Sequence, residues 1–586
     1  MSPTRTSVAG YSMNTCEKQS PLGSKILQYA AILAILALTV VASFYYKGTQ
    51  SLLLVYGILT ALAARAILTN RHSYFVFFLF SFLTLGCWGK LILHLLFDTT
   101  FIEPTGSFNG SPESWDAALW VLIIAFATLL ACNEACKRIT AQAARPKTTI
   151  SRTSLLLPTL YASMFATVAI LAFNYKFAIL KIGTTPLLQL NSYIYVIFSF
   201  MVAWGNFILL ATLGYWLVKS GRLKPSILFY MISFEGALAS VSMGSRAQMI
   251  LHTAVPFVVY LIQGKHRLGW SMTTAQWGRV ITVSLTLFVG SILLVSADRI
   301  NSFTQARPVA PAPVVAQTEE PKTALIEKEP ATEPRPEVLA PGIPAIATTD
   351  QVIDTTPESA TNTAEKNNSQ LPFEPTIENI PQPNTDLLAE QTVEPEPQPK
   401  PEPLPAPQPV APSVTLQWKG MFYEMGKLIV DRWVGLEGVL TVISSDAKGT
   451  DLFLNALTEK PSAGTEAIYQ RMASAQYQAF ENFTFMTIPG PIAVLLYSDS
   501  FITLIGGLAF VFAVCFLLEF LAFRLLGNVI TQAAIGVALA YLLVQTNFPR
   551  ALFFMFIETL LFAGGLVVLR AFLTVNPKAP RSNVTC

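Results

Sequence analysis

The chain has 586 residues, a mean hydropathy of +0.49 and only 13% charged residues, whereas soluble globular chains carry about a quarter. Such a chain cannot cover its surface with polar groups, which excludes a water-soluble globular protein. The formal charge is +3, and the sequence contains no glycine-rich nucleotide loop, HExxH motif or Walker lysine. We therefore predict no cofactor and no nucleic-acid partner.

Apolar runs of about twenty residues recur along the chain, and each is long enough to cross a hydrocarbon core of about 30 Å. The sequence therefore predicts an all-α integral membrane protein with about twelve spans. They lie near 26–46, 49–68, 73–97, 116–136, 153–175, 194–218, 226–243, 247–264, 279–297, 499–522, 528–545 and 551–572.

The connections between the spans alternate in charge, which orients the chain because short cytoplasmic loops hold Lys and Arg. Basic residues concentrate in the connections around 65–71, 137–152, 219–224 and 265–279. These connections and both termini are therefore predicted to be cytoplasmic.

This topology divides the chain into seven regions. They are a cytoplasmic tail (1–25), spans one to nine (26–297), a loop start (298–304), an external insert (305–412), an external or interfacial helical region (413–498), spans ten to twelve (499–572) and a second cytoplasmic tail (573–586).

The external insert 305–412 holds 23 of the 38 prolines, with 17 acidic and 6 basic residues. Proline removes backbone donors, and few apolar residues remain to form a core, so the composition predicts a disordered, partly polyproline II tether. A passive insertion, a contact with another envelope component and an acidic brush that repels anionic polymers are all open.

Helical patterning returns after the insert. Apolar residues recur at three-and-four spacing from Met421 to Ile443 and from Ile468 to Met486, which predicts two amphipathic helices on, or dipping into, the external face. The segment Pro489–Tyr497 is predicted to be a short re-entrant segment before the next span.

Arg246 is the first candidate site residue. It lies between two apolar stretches, directly after Gly244 and Ser245, and its neighbours at three and four positions include no carboxylate. A cation at membrane depth without a partner is costly and usually meets something anionic. The alternative is an arginine that snorkels to the interface.

Arg432 is the second candidate, because it continues the apolar stripe of its helix and again has no acid at three or four positions. Two such arginines suit a pyrophosphate, since guanidinium offers forked donors that match phosphate oxygens. Glu437 also lacks a local cation, so it is a candidate general base. The alternative is that Glu437 pairs with an arginine elsewhere in the fold.

Three more external arginines, Arg299, Arg471 and Arg550, are candidate substrate-binding residues. Arg550 is predicted at a helix N-terminus, where its charge opposes the helix dipole. Cys132 and Cys136 are one helical turn apart, but no nearby Cys or His completes four ligands, so no metal site is predicted. His252 is predicted to be a packed histidine inside a span.

The layout resembles the O-antigen polymerase (Wzy-type) superfamily, which also includes O-antigen ligases. The matching features are the many spans, the GSRA turn (Gly244–Arg246), the late external loop with its DRWVGLE helix (Asp431–Glu437) and the PGPIAVLLYSDS segment (Pro489–Ser500). The proline-rich insert departs from this pattern.

The resemblance implies a metal-independent glycosyltransferase in the bacterial inner membrane. It would take a glycan from undecaprenyl pyrophosphate and transfer it to a hydroxyl of another lipid-linked repeat unit, extending an O-antigen, capsule or exopolysaccharide. By position, the resemblance gives the pyrophosphate-holding role to Arg246 and Arg432. The implied partners are lipid-linked donor and acceptor, membrane lipids and other polysaccharide-assembly proteins of the envelope.

Three other functions remain open from the sequence. An O-antigen ligase would use the same donor with a lipid acceptor, a transporter or flippase would move a lipid-linked or anionic solute, and a scaffold would recruit partners through the tether. Polar residues that converge at mid-depth would favour transport, whereas a pocket at the outer interface would favour transfer.

Overall fold

The computed structural model describes residues 22–70, 72–101, 103–141, 152–184, 186–305, 434–460, 466–474 and 487–574. This part of the chain is built from α-helices and contains no β-strand. The predictions for both far termini, for the insert beyond its first residue and for Arg432 concern residues outside these ranges.

Nine of the described helices lie before residue 306, and seven lie after residue 433. They are α1 (Leu22–Ser43), α2 (Gln50–Thr69), α3 (Tyr74–Phe97), α4 (Pro112–Ala141), α5 (Thr153–Phe177), α6 (Ser192–Lys219), α7 (Pro225–Met243), α8 (Arg246–Leu268), α9 (Thr274–Gln305), α10 (Leu436–Ile443), α11 (Thr450–Thr458), α12 (Ile468–Met472), α13 (Gly490–Leu496), α14 (Phe501–Leu526), α15 (Val529–Val544) and α16 (Pro549–Thr574). Two of them contain a π-helical segment, Thr84–Gly89 in α3 and Met201–Gly205 in α6.

Ten helices of the described part are long and apolar enough to cross a membrane. Two further apolar stretches, Gln28–Ser43 within α1 and Val529–Val544, are shorter. Together these helices coincide with the predicted spans. The predicted class, an all-α protein that crosses a membrane several times, is confirmed, and the count of twelve crossings stays a prediction.

Helix α15 lies at the centre of the bundle and packs against α3, α6, α8 and α14. Every residue from Ile530 to Ala540 is buried. Its many alanines, with Gly536, let neighbouring helices approach closely, because dispersion contacts rather than water exclusion hold helices together in lipid.

A buried carboxylate joins two helices at one end of the bundle. Glu519 of α14 accepts hydrogen bonds from the Ser73 hydroxyl (2.5 Å) and the Tyr74 backbone N–H (2.7 Å), which satisfies donors at the start of α3. Gln532 of α15 donates to the carbonyl of His72 (2.7 Å). These contacts connect α3, α14 and α15 at the end that the charge pattern predicts to be cytoplasmic.

Short helices lie at the opposite end, which we call the predicted outer end. The segment predicted to be re-entrant forms α13, which is buried and packs against α10, α14 and α15. Helix α10 is the described part of the first predicted amphipathic helix. The described start of the second predicted amphipathic helix forms α12, which ends at Met472, just before Ser474 adopts a left-handed conformation (φ 52°). The rest of this prediction, beyond residue 474, lies outside the described residues.

Candidate functional site

The turn between α7 and α8 places Arg246 at the predicted outer end. Helix α7 ends at Met243, and Gly244 takes the left-handed conformation (φ 61°) that a glycine tolerates at a helix C-terminus. Arg246 is then the first residue of α8. Its positive charge therefore lies where the helix dipole is also positive, so the position favours a hydrogen-bond acceptor or an anion nearby.

Arg246 and Arg299 reach across the gap between this turn and the end of α9. The Arg246 guanidinium donates to the Ser296 hydroxyl on α9 (3.0 Å), and the Arg299 guanidinium donates back to the carbonyl of Gly244 (2.7 Å). Both side chains are half-buried. Two of the predicted site residues, 53 positions apart in the sequence, thus meet at one place.

A lysine that the sequence analysis did not select completes this group. Lys181 follows α5 and forms an ion pair with Asp298 (2.7 Å), and its loop is attached to the turn because the Ile182 N–H donates to the carbonyl of Met243 (2.9 Å). We call Lys181, Arg246, Asp298 and Arg299 the basic corner. Among the described residues, it brings three cationic side chains and one carboxylate together, and its cations are of the kind that bind anions.

Glu437 has a partner that its sequence neighbours do not reveal. Its carboxylate pairs with the ammonium of Lys90 at 2.5 Å, and both side chains are only 4% exposed. The pair joins α10 to the helix turn that follows the π segment of α3. Glu437 therefore does pair elsewhere in the fold, but its partner is a lysine and not the expected arginine. The role of Glu437 as general base stays a prediction. It would require the Glu437 carboxylate to break its ion pair with the buried Lys90 ammonium.

The remaining predicted arginines lie on other elements. Arg471, on α12, is exposed and close enough to Glu459 to act on its ionisation: burial raises the pKa of the Glu459 carboxyl, while the Ile468 N–H and Arg471 oppose that shift. Arg550, at the start of α16, is exposed and lies over the ring of Phe554 (5.8 Å). The described contacts of these two arginines are with Glu459 and Phe554 and do not include the basic corner.

A second buried pair, which the sequence analysis did not predict, lies inside the bundle. His252 Nδ1 and Glu235 Oε2 are 2.7 Å apart, and both residues are almost completely buried. Glu235 is near the middle of α7, and His252 is six residues into α8. The pair was missed because its members lie on two helices. A glutamate at the centre of an apolar run was the available signal.

A mostly apolar cavity of about 400 Å³ opens at the predicted outer end between α4, α10, α13 and α14. Its lining consists of Ala117, Trp120, Ile124, Ile443, Lys448, Leu496, Asp499 and Phe501. Lys448 and Asp499 form an ion pair at 3.3 Å, so the charged groups of the cavity are balanced.

Comparison with protein family models, with curated proteins and with solved structures finds no match for this chain.

Proposed function

We propose that this protein is a membrane glycosyltransferase that polymerises lipid-linked oligosaccharide repeat units. The donor would be a glycan on undecaprenyl pyrophosphate, and the acceptor a hydroxyl of a second lipid-linked unit. The observation that carries this proposal is the basic corner, in which Arg246 and Arg299 come together with Lys181 where an anionic lipid headgroup would arrive.

The chemistry of the transfer needs what the basic corner offers. When the bond between sugar and pyrophosphate breaks, negative charge grows on the leaving group, and fixed cations stabilise that charge more strongly than they stabilise the bound donor. The two guanidiniums can present forked donors to phosphate oxygens, and Lys181 adds a mobile point charge. The donor is already activated, so the reaction needs no nucleotide.

The proposal includes a topology. Twelve helices would cross the bacterial inner membrane with both termini in the cytoplasm, and the segment between α9 and α14 would lie outside. The apolar cavity beside Trp120 then faces the outer leaflet, where the hydrocarbon part of a lipid-linked substrate could enter. Other polysaccharide-assembly proteins of the envelope are proposed partners, and Arg432 remains a proposed second pyrophosphate contact.

The test compares single alanine variants in cells that lack the chromosomal copy of the gene. We expect Arg246→Ala and Arg299→Ala to reduce polymer formation by at least about 100-fold, the loss typical of a transition-state charge contact, and to leave single repeat units. Arg279→Ala, at the other end of α9, is the matched control and should give normal polymer. Normal polymer from both folded corner variants would contradict the proposal.

The same cells separate polymerase from ligase. Deletion of the gene should leave unpolymerised single repeats if the chain is a polymerase. Full-length polymer that is not attached to its lipid acceptor would instead indicate the ligase alternative, which uses the same donor chemistry.

A transporter or flippase is the second candidate, and Glu235 with His252 is the observation that favours it. Ionisable residues that meet inside a helical bundle are frequent in proteins that move ions or polar solutes. Purified protein in liposomes decides between the two. Transfer of a labelled glycan between lipid carriers without a change of leaflet supports the enzyme, and movement of the intact lipid-linked glycan between leaflets supports the transporter.

A further inference from the structure

The pair formed by Glu235 and His252 has hydrogen-bonding capacity that the described structure leaves unused. Within the described residues, the second carboxylate oxygen, Glu235 Oε1, and the second ring nitrogen, His252 Nε2, are buried and make no hydrogen bond. A buried polar atom without a partner costs about 1–3 kcal/mol. A pair that served packing alone would be expected to have these atoms satisfied.

Four other side chains on α6, α7 and α8 also carry a buried polar atom with no hydrogen-bond partner among the described residues. The described part of the chain gives no partner to the donors Trp204 Nε1 and Asn206 Nδ2, to Gln248 Oε1 or to the Ser240 hydroxyl. Donors stabilise a carboxylate, whereas acceptors stabilise an imidazolium. Of these side chains, Trp204 lies against the His252 ring, with ring centres 5.4 Å apart, and Gln248 precedes His252 by one helical turn on α8.

A polar stripe leads from the predicted outer end towards this pair. Gln248 and His252 are four residues apart on α8, so they share one helix face, and Ser245 lies directly before the helix, three residues ahead of Gln248. All three are buried. Ser245 is the last residue of the turn that precedes Arg246. At 1.5 Å per residue, His252 lies about 10 Å along the helix from that turn.

We propose that Glu235 and His252 form a proton-binding site inside the membrane, which exchanges protons with the predicted outer surface through Gln248 and Ser245. A proton that arrives at His252 Nε2 makes the ring an imidazolium. The proton on Nδ1 then passes to Glu235 Oε2, which leaves a neutral histidine and a neutral carboxylic acid. The pair has gained one proton, and the reverse sequence releases it.

The surroundings suit a proton better than a larger ligand. The His252 ring stacks on Phe207 with ring centres 4.1 Å apart and planes at 5°, and Trp204 lies 5.4 Å away on the same helix as Phe207. On the side of α7, the missing side chain of Gly236 lets His252 pack closely, since a Cβ there would lie 3.2 Å from that of His252. No third His, Cys, Asp or Glu joins the pair among the described residues, so it lacks the ligand set of a transition-metal site.

Other titratable groups on the helices around this pair lie mostly towards the helix ends. Tyr541 on α15 lies close to Trp204, with ring centres 5.9 Å apart. The others among the described side chains are Tyr161, Tyr175 and Lys176 on α5, Tyr193, Tyr195, Tyr215 and Lys219 on α6, Tyr230 on α7, Arg246 and Tyr260 on α8, and Arg279, Asp298 and Arg299 on α9.

Hydrogen exchange at the imidazole ring tests the proposal. The chain has 4 histidines, His72, His94, His252 and His266, so protein labelled with ¹⁵N-histidine in lipid bilayers gives few ring signals, and His252→Asn assigns the one of interest. We expect the ring protons of His252 to exchange with D₂O within minutes, although the residue is fully buried.

Variants on the outer and inner sides of the Glu235–His252 pair show from which side protons reach it. Gln248→Leu should slow this exchange by about tenfold or more, because it removes the relay on the outer side, and Glu235→Gln should slow it too, because an amide cannot take the proton. Ser233→Ala is the matched control on the inner side, where Ser233 bonds to Ser284 (2.8 Å), and it should leave the rate unchanged.

Three results would overturn the proposal. They are ring protons of His252 that stay protected for hours in the unmodified protein, exchange that is unaffected by both Gln248→Leu and Glu235→Gln, and a path blocked by Ser233→Ala instead. If Gln248→Leu does not fold, Gln248→Met removes the same amide with a more adaptable side chain. Because the assay follows a ring proton and not glycan transfer, its outcome is independent of the proposed glycosyltransferase activity.

Discussion

The basic corner and the pair formed by Lys90 and Glu437 both lie at the predicted outer end, but they handle charge in opposite ways. In the corner, Lys181 pairs with Asp298, and the two arginines donate to a hydroxyl and a backbone carbonyl. In the pair, one ammonium and one carboxylate balance each other at 2.5 Å with 4% exposure each. Surplus charge at a half-buried surface suits a ligand, whereas balanced charge in the interior suits a structural joint.

Breaking the structural joint should have the largest effect. Glu437→Ala leaves the Lys90 ammonium buried without its partner, so we expect the free energy of unfolding to fall by about 3–5 kcal/mol. Thermal unfolding of the purified protein measures the loss.

The double variant Lys90→Met/Glu437→Leu sharpens this result. Two apolar side chains of similar length remove both charges, so stability should recover. Normal polymer from the double variant would assign Glu437 a structural role only. A double variant that is folded but inactive would instead support Glu437 as general base.

A subtler change in the basic corner should have a smaller effect, on activity alone. Arg246→Lys keeps the charge but loses the fork of donors, so the transfer rate should fall about tenfold, as expected for one charge-assisted hydrogen bond of about 1.5 kcal/mol. The thermal midpoint should stay unchanged. An unchanged rate would show that charge alone suffices at this position.

Neutralising Asp298, the carboxylate of the basic corner, should instead strengthen binding of the donor. Asp298→Asn frees Lys181 from its ion pair, so the KM for an anionic donor should fall about threefold, within the range of about 0.2–1 kcal/mol for a partly exposed pair. The gain should shrink in high salt because mobile ions screen exposed charges. A higher KM would mean that Asp298 positions the cations and that its charge does not oppose binding.

The smallest effect is expected at the ion pair of Lys448 and Asp499. The Asp499 side chain is 61% exposed, so Asp499→Asn should change the free energy of unfolding by less than about 1 kcal/mol. A larger loss would show that this ion pair, like that of Lys90 and Glu437, stabilises the fold.

Sequence patterns anticipated the helices better than the pairs between them. Hydropathy placed the apolar helices because each segment must satisfy its own backbone in lipid, and proline with glycine marked the short helix α13. Arg246 was selected because its near neighbours offer no acid. Lys181 was not selected, since nothing in its own segment shows that Asp298 lies beside it.

The buried charge pairs could not be predicted from the sequence, for a physical reason. Spacing rules detect partners three or four residues apart on one helix, but Lys90 and Glu437 are 347 positions apart. Glu235 and His252 are only 17 positions apart, yet they lie on separate helices whose rotation about their axes decides whether they meet. Such rotation is set by packing, and packing is not visible in local spacing.

The carboxylate of Glu519 has a mechanical consequence. It fastens α14 to the start of α3, and Gln532 adds α15, so these three helices share a joint at the predicted cytoplasmic end. At the predicted outer end, α13 packs against α14 and α15, and the Lys90–Glu437 pair holds α3 to α10. We therefore expect these three helices to keep their arrangement at both ends, so that any opening of the bundle must occur between other helices.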